Sequence, residues 1–470
     1  MPNVIVIGGG LAGLSAGVTL AESGWRVRLF EQRPYLGGRA TSYVLPDGEH
    51  VDNCQHVTFG CCTNLEDFYR RVGVADKIRF FDTLLLRDPQ GRQGRLHAGM
   101  LPAPLHLTGS FLTFAPLSLK DKWGIARAMF VIIRCKGQPA ERNGQGEMSM
   151  LEWLRNQAQT QQAIDRFWNA VLVSALSDDL DHIDVRYGMQ VFWKSVLASR
   201  KGYLMGVPRV ELGTLYESCR EAIERKGGEV VFRSPARELR FNGNHLESAV
   251  FDEGKEQRAE AFVLAVPHDT LDGLLPGAVK NAHPELAHLA NIKDAPITGV
   301  HLWFDREVLN EPFLTLLDTT TQWIFNKTAL YGRKNGSGSE KGQYLQLVIS
   351  ASYGLLQKPR QEIVDLCLGE LRQALPAARE AKVLKATVIK EAAATFSPQP
   401  GVDRWRPMQE TPIKGMFLAG DWTKTGWPAT MEGAVRSGYL AAEAVLRTAG
   451  TPRTFLQPDL PEDGLVRLLS

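Results

Sequence analysis

The sequence predicts an α/β architecture: a parallel-sheet unit assembled from both ends of the chain, with an α+β region interleaved between them. Three observations predict it. Near the start, apolar Val4-Ile-Val-Ile7 leads directly into Gly8-Gly9-Gly10-Leu11-Ala12-Gly13 and a helical pattern. Near the end, apolar Phe417-Leu-Ala leads into Gly420-Asp421, a Gly/Pro/Trp loop and a second helical pattern opening at about Thr430. In the middle, a helical pattern over 213–225 stops at Gly227-Gly228 and gives way to strand-like runs at 229–233, 236–241, 246–251 and 259–267, with an Asn242-Gly243 turn signal between the second and third.

The first element, 4–7, reads as a short buried strand. The helix after it runs to about Ser23, where Gly24 ends it, and Trp25-Arg-Val-Arg-Leu-Phe-Glu31 is the second strand. Gly8, Gly10 and Gly13 satisfy G-x-G-x-x-G, which lets backbone at Leu11 and Ala12 approach a pyrophosphate at the helix start. Glu31 falls about 20 residues on, where a carboxylate accepts from both ribose hydroxyls of an adenosine and repels a 2′-phosphate. The preceding strand, following helix and terminal acid together make this a Rossmann-like ADP-binding unit. Gln32, Arg33 and Ala40 flank its ribose end. Gly37-Gly38-Arg39 follows: the glycines let backbone reach a pyrophosphate, and Arg39 supplies a neutralising charge.

At these residues the chain resembles the FAD-dependent amine oxidase and phytoene desaturase superfamily, whose marks are the N-terminal dinucleotide fold, a Gly-Gly-Arg segment and a C-terminal Gly-Asp strand-loop-helix. The resemblance spans the chain. It implies a glutathione-reductase-type FAD/NAD(P)-binding domain with an interleaved α+β substrate domain: 1–84, 206–275 and 396–450 for FAD, 85–205 and 276–395 for substrate, and 451–470 as a tail. Gly420 and Asp421 then face the flavin side, Asp421 accepting from ribityl or ribose hydroxyls. Thr430 and Met431 open a helix whose positive end suits the charge of a reduced flavin ring. Glu432 either bonds the ribityl chain or caps the helix. Ala236 meets the adenine through backbone. The last cysteine is Cys367, outside the C-terminal motif, so the FAD is expected to be non-covalent.

Composition narrows the classes. A chain of 470 residues with 44% hydrophobic and 23% charged residues is globular, and a net charge of +2 gives no drive toward nucleic acid. No cysteine pair has C-x-x-C spacing, Cys61-Cys62 reads as two small buried residues, and no metal site is expected. The N-terminus enters a strand at once, without a signal peptide, which points to the cytoplasm. The stretch 100–137 is unusual: apolar segments broken by prolines and edged by Lys120, Lys122, Trp123, Arg127 and Arg134. It suits a surface dipping into one leaflet, hence a protein peripheral to the inner membrane; the alternative is a helix buried in the substrate domain. Asn335-Gly-Ser-Gly-Ser-Glu-Lys341 reads as a mobile loop.

A narrower resemblance rests on Asp52-Asn-Cys-Gln-His56-Val-Thr-Phe-Gly60-Cys-Cys, Val300-His-Leu-Trp-Phe-Asp305, Gln322-Trp-Ile-Phe-Asn326, Ala394-Thr-Phe396 and Thr425-Gly-Trp-Pro-Ala-Thr-Met-Glu-Gly433. These look like the squalene-associated branch, which includes hydroxysqualene dehydroxylase of hopanoid biosynthesis. That implies reductive removal of an allylic hydroxyl from a C30 isoprenoid. The chemistry calls for an acid, exclusion of water and aromatic faces for a cation. His56 is the first candidate for the acid, against a structural histidine bonding backbone, and Gln55 is placed to touch the ring edge. Trp303, Phe304 and Trp323 are candidates to line a hydrocarbon tunnel, against core packing. The electron donor is unassigned, since no second nicotinamide fingerprint is present. The alternatives are a squalene or carotenoid desaturase on the same scaffold, an amine oxidase, and a non-catalytic prenyl-lipid-binding protein.

Overall fold

The computed structural model describes residues 1–139, 147–332 and 342–469, so the expected loop at 335–341 lies outside the described residues. Parallel strands need both faces covered, and the Val/Ile/Leu runs of this chain supply them. Five parallel strands pair in the order Glu229–Val231, Arg26–Phe30, Asn3–Ile7, Ala261–Leu264, Met416–Leu418. The central strands Asn3–Ile7 and Ala261–Leu264 are buried almost throughout.

Helix Leu11–Glu22 is buried from Leu11 to Ala21, because it lies between this sheet and helix Met431–Thr448. That approach depends on Gly438: a Cβ there would stand 2.0 Å from Ser15 Oγ and 2.3 Å from the Ala12 carbonyl oxygen. Helix Leu212–Glu224 packs beside it, burying Leu215, Tyr216, Cys219 and Ile223 along one stripe. The antiparallel strands Ala236–Phe241, Leu246–Phe251 and Glu256–Arg258 attach to the adenosine end, where Phe251 stacks on Phe30 with ring centroids 3.9 Å apart.

The second region is a seven-stranded mixed sheet, ordered Val383–Phe396, Asp294–Phe304, Gln343–Ser350, Trp323–Asn326, Phe313–Leu316, Thr83–Arg87, Gln93–His97. Thr83–Arg87 runs wholly in this sheet, so the chain enters the region before Thr83. Period-two alternation gives the sheet two unlike faces. One, with Val300, Leu302 and Phe304, packs on helix Arg360–Ala374 through Ile363, Cys367 and Leu371. The other, with Gly299, His301 and Trp303, meets the segment 51–54. A helical layer over 108–134 and 150–197 has at its centre the buried Trp168, whose indole donates to Gln159 Oε1 at 2.9 Å. The segment 451–469 packs back, with the Phe455 and Leu456 amides donating to Glu443 and the turn Gly464–Leu469 closing the chain.

Candidate active site

The dinucleotide end is built by backbone. Glu31 accepts from the Gly9 amide through Oε2 and from the Arg33 amide through Oε1, each at 2.7 Å, which fixes the carboxylate and leaves its outer lone pairs for ribose hydroxyls. The Gly37 amide donates to the Gly9 carbonyl, and a Cβ on Gly38 (φ +61°) would stand 3.0 Å from Gly10 Cα, so the two glycine loops lie against each other. Arg33 Nη1 reaches the Gly38 carbonyl at 3.3 Å. The Ser234 amide donates to the Glu31 carbonyl, which brings the strand starting at Ala236 to the adenosine side. Gln32 faces solvent. Gly10 is the N-cap of Leu11–Glu22 with no side-chain cap and no acid in the first turn, so N–H groups at Leu11, Ala12 and Gly13 present a positive end suited to a diphosphate. A dinucleotide fits these residues.

Arg39 joins this end to the C-terminal motif. Its Nη2 lies 2.6 Å from Asp421 Oδ1 and its Nη1 donates to the Ala394 carbonyl. Burial works against the guanidinium charge, but Asp421, with Asp294 and Glu391 beyond it, outweighs that and holds the pKa above its ordinary value. Ala40, fully inside, donates its amide to Gly37. The Gly420 amide donates to Ser437 Oγ at 2.8 Å, and Thr430 Oγ accepts from the Gly433 amide as N-cap. Met431 sits against Tyr69, its sulfur 4.0 Å from the hydroxyl.

Glu432 corrects both sequence expectations. Its carboxylate is fully buried and accepts from the Leu65 amide at 2.8 Å, the Asn64 amide at 3.2 Å and Asn64 Nδ2 at 2.9 Å. It caps helix Thr63–Arg71 rather than its own helix or a ribityl chain. Burial raises its pKa despite these bonds.

The segment 52–56 crosses from one region to the other. His56 Nδ1 lies 3.0 Å from the Cys54 carbonyl oxygen, and a carbonyl only accepts, so Nδ1 carries the proton and Nε2 is an open acceptor. Burial lowers the His56 pKa, keeping the ring neutral. Gln55 holds the segment: its Nε2 donates to the His56 carbonyl and its Oε1 accepts from Lys327 Nζ at 2.7 Å. Lys327 was not singled out in the sequence. Its side chain is 1% exposed and pairs with Asp52 Oδ2 at 2.8 Å, while Tyr331 donates to the same oxygen at 2.6 Å. Burial pushes the Cys54 thiol up to about 12, which removes it as a nucleophile at neutral pH.

The three aromatic candidates part company. Trp323 lies with Cys54, Met205, Phe313 and Phe325, beside the 54–59 segment. Trp303 instead donates to Glu49 Oε1 at 2.7 Å and stacks on Tyr344 at 4.6 Å, under the hairpin Ser42–Val44/His50–Asp52. Phe304 lies on the opposite face, in the cluster with helix Arg360–Ala374, so it does not share a tunnel with Trp303 and Trp323. Arg406, also unforeseen, is almost wholly buried and donates to the carbonyls of Asp421, Thr423 and Trp427, bracing the loop between Asp421 and the helix.

The profile of the family "Flavin containing amine oxidoreductase" matches residues 11–446. The chain belongs to this family. It is 27% identical to 15-cis-phytoene desaturase of Solanum lycopersicum, over 95% of this chain and 78% of that protein. It is also 27% identical to zeta-carotene desaturase of Synechocystis, over 94% of this chain and 97% of that protein. Among solved structures, a redesigned putrescine oxidase aligns with a TM-score of 0.72 at 17% identity, covering 95% of this chain and 99% of that one. Cyclohexylamine oxidase of Brevibacterium oxydans aligns at 0.69 and 16%, covering 96% and 99%. The fold is therefore the α/β flavoprotein architecture expected from the sequence, the cofactor is FAD, and the protein is a flavin-dependent oxidoreductase.

Proposed function

We propose that this family member dehydrogenates a long apolar isoprenoid, as the names of the carotene desaturases similar to it describe. The observation that carries the reading is His56: neutral, with Nδ1–H committed to the Cys54 carbonyl and Nε2 left as an acceptor. Introducing a double bond removes a hydride and a proton from adjacent carbons. FAD, when bound, accepts the hydride. His56 Nε2 takes the proton, Gln55 and Lys327 hold the segment that carries it, and the apolar walls at Cys54, Phe313 and Trp323 exclude water. The substrate-side carboxylate Asp52 is committed to Lys327 and Tyr331, which argues against an amine cation as substrate.

Reductive dehydroxylation of hydroxysqualene is the second reading, favoured by the 425–433 segment. It asks for a proton donor where His56 offers an acceptor. One experiment separates the two. The purified flavoprotein is given phytoene in micelles with an artificial quinone acceptor, and separately, with its flavin photoreduced under argon, hydroxysqualene. Desaturation predicts red-shifted polyene absorbance in the first and no squalene in the second. Squalene formed without polyene would reverse the order of the readings.

A further inference from the structure

Among the described residues, nine of the fifteen exposed large apolar side chains lie in just two stretches, 100–130 and 465–468. Folding normally hides such groups, so their concentration marks a docking face. The helix Leu119–Arg134 buries Ile125, Ala128 and Ile132 and turns Leu119, Trp123, Arg127, Phe130 and Arg134 outward at helical spacing. Trp123 is 74% exposed and Leu119 80%.

Three pieces are tied into this face. Lys122 Nζ donates to the Leu112 carbonyl at 2.7 Å, joining the 108–112 turn to the helix start. Arg200 Nη1 donates to the Leu101 carbonyl at 2.9 Å, fixing the loop that carries the fully exposed Met100. The C-terminal turn is pinned by buried Val466 and by the Leu465 amide, which donates to the Ala103 carbonyl at 2.8 Å, and it displays Leu468 at 80% exposure. Lys136 and Glu462, 3.6 Å apart, link the far end of the helix to the same C-terminal stretch.

Charge names the occupant. Residues 98–139 hold five basic side chains, Lys120, Lys122, Arg127, Arg134 and Lys136, and a single acid, Asp121, which is buried as part of the Ser118 cap. An apolar stripe interleaved with Arg and Trp, whose neighbouring acid from the C-terminal stretch, Glu462, is paired with Lys136, matches the headgroup layer of a negatively charged bilayer. No described helix is long and apolar enough to cross one. We propose that this face docks on an anionic lipid bilayer, with Trp123, Phe130 and Leu468 entering the headgroup–acyl boundary and Arg127 and Arg134 meeting lipid phosphates.

The test is flotation of the full-length flavoprotein with vesicles of phosphatidylcholine alone or with about a third phosphatidylglycerol. No substrate is present, so the outcome is independent of the proposed reaction. The expected result is binding to the anionic vesicles and much weaker binding to the neutral ones. Trp123→Ser with Leu468→Ser lowers partitioning by at least about tenfold while flavin absorbance and melting temperature stay as in the parent. Arg127→Gln with Arg134→Gln weakens binding and flattens its dependence on salt. Wild-type protein that stays unbound at low salt overturns the proposal, as does equal flotation of the Trp123/Leu468 variant. A dimer in light scattering that this variant dissolves, without vesicle binding, assigns the face to a second copy of the chain instead.

Discussion

Asp52 and Lys327 show how one buried pair anchors the segment 52–56. Burial alone would raise the Asp52 pKa, yet Lys327 and the Tyr331 and Ser42 hydroxyls together outweigh it and hold the carboxylate below its usual range; burial lowers the lysine despite its partner. Removing one member leaves an uncompensated buried charge, so Lys327→Met should cost about 3–5 kcal/mol. Adding Asp52→Asn should restore part of that, and a urea double-mutant cycle showing simple additivity would sink the idea. His301, on the sheet face under this pair, donates or accepts with Tyr344 at 2.7 Å and is pushed down to about 3 by burial. Its folded pKa is depressed below the unfolded value of about 6.5, so the unfolded state binds the extra proton and stability falls as pH drops through that window. His301→Gln should therefore flatten the pH dependence of unfolding free energy between about pH 6 and 4, by up to about 1.4 kcal/mol per pH unit. An unchanged slope in denaturant titrations would assign the acid sensitivity elsewhere.

At the scale of elements, the loop between Gly420 and helix Met431–Thr448 is set by two groups that local pattern does not reveal. Glu432 holds the start of helix Thr63–Arg71 across 368 residues of sequence, and Arg406 gathers the loop carbonyls. Glu432→Gln keeps the shape but loses the charge on three donors, and each charge-assisted bond exceeds a neutral one. The expected result is a loss of about 2–4 kcal/mol in thermal or urea unfolding, with the helix Thr63–Arg71 amides gaining the most hydrogen exchange; uniform exchange gains would count against a local cap. The strands Ala236–Phe241 and Leu246–Phe251 were legible because alternation and Asn242-Gly243 are local signals. The role of Glu432 was not, because its partners are distant. For Phe304 the core-packing alternative holds: period two puts Trp303 and Phe304 on opposite faces, but only packing decides which face meets helix Arg360–Ala374. Lys327 was not legible because its partner Asp52 lies 275 residues away and nothing near it in sequence announces it.

At the scale of the molecule, the dinucleotide motifs were readable because glycine spacing is a local demand, whereas the union of the two ends is tertiary: strand Met416–Leu418 joins the sheet beside Ala261–Leu264, Arg39 pairs with Asp421, Glu432 caps helix Thr63–Arg71, and the helices cross at Gly438. A cofactor site shared by both ends predicts that FAD binding stabilises them together. Saturating FAD at about a hundred times its dissociation constant should add about 2.7 kcal/mol to unfolding. Gly438→Leu leaves every proposed cofactor-contacting residue in place but drives its side chain into Ser15 and Ala12, so the helices separate. Flavin should then be lost on gel filtration, and added FAD should no longer raise the melting temperature. Gly273→Ala is the control, since that glycine has nothing within 4 Å of its Cβ direction and the change should leave both readouts intact. If Gly438→Leu keeps its yellow colour and its FAD-dependent melting shift, the two ends hold the cofactor independently and the crossing is not what joins them.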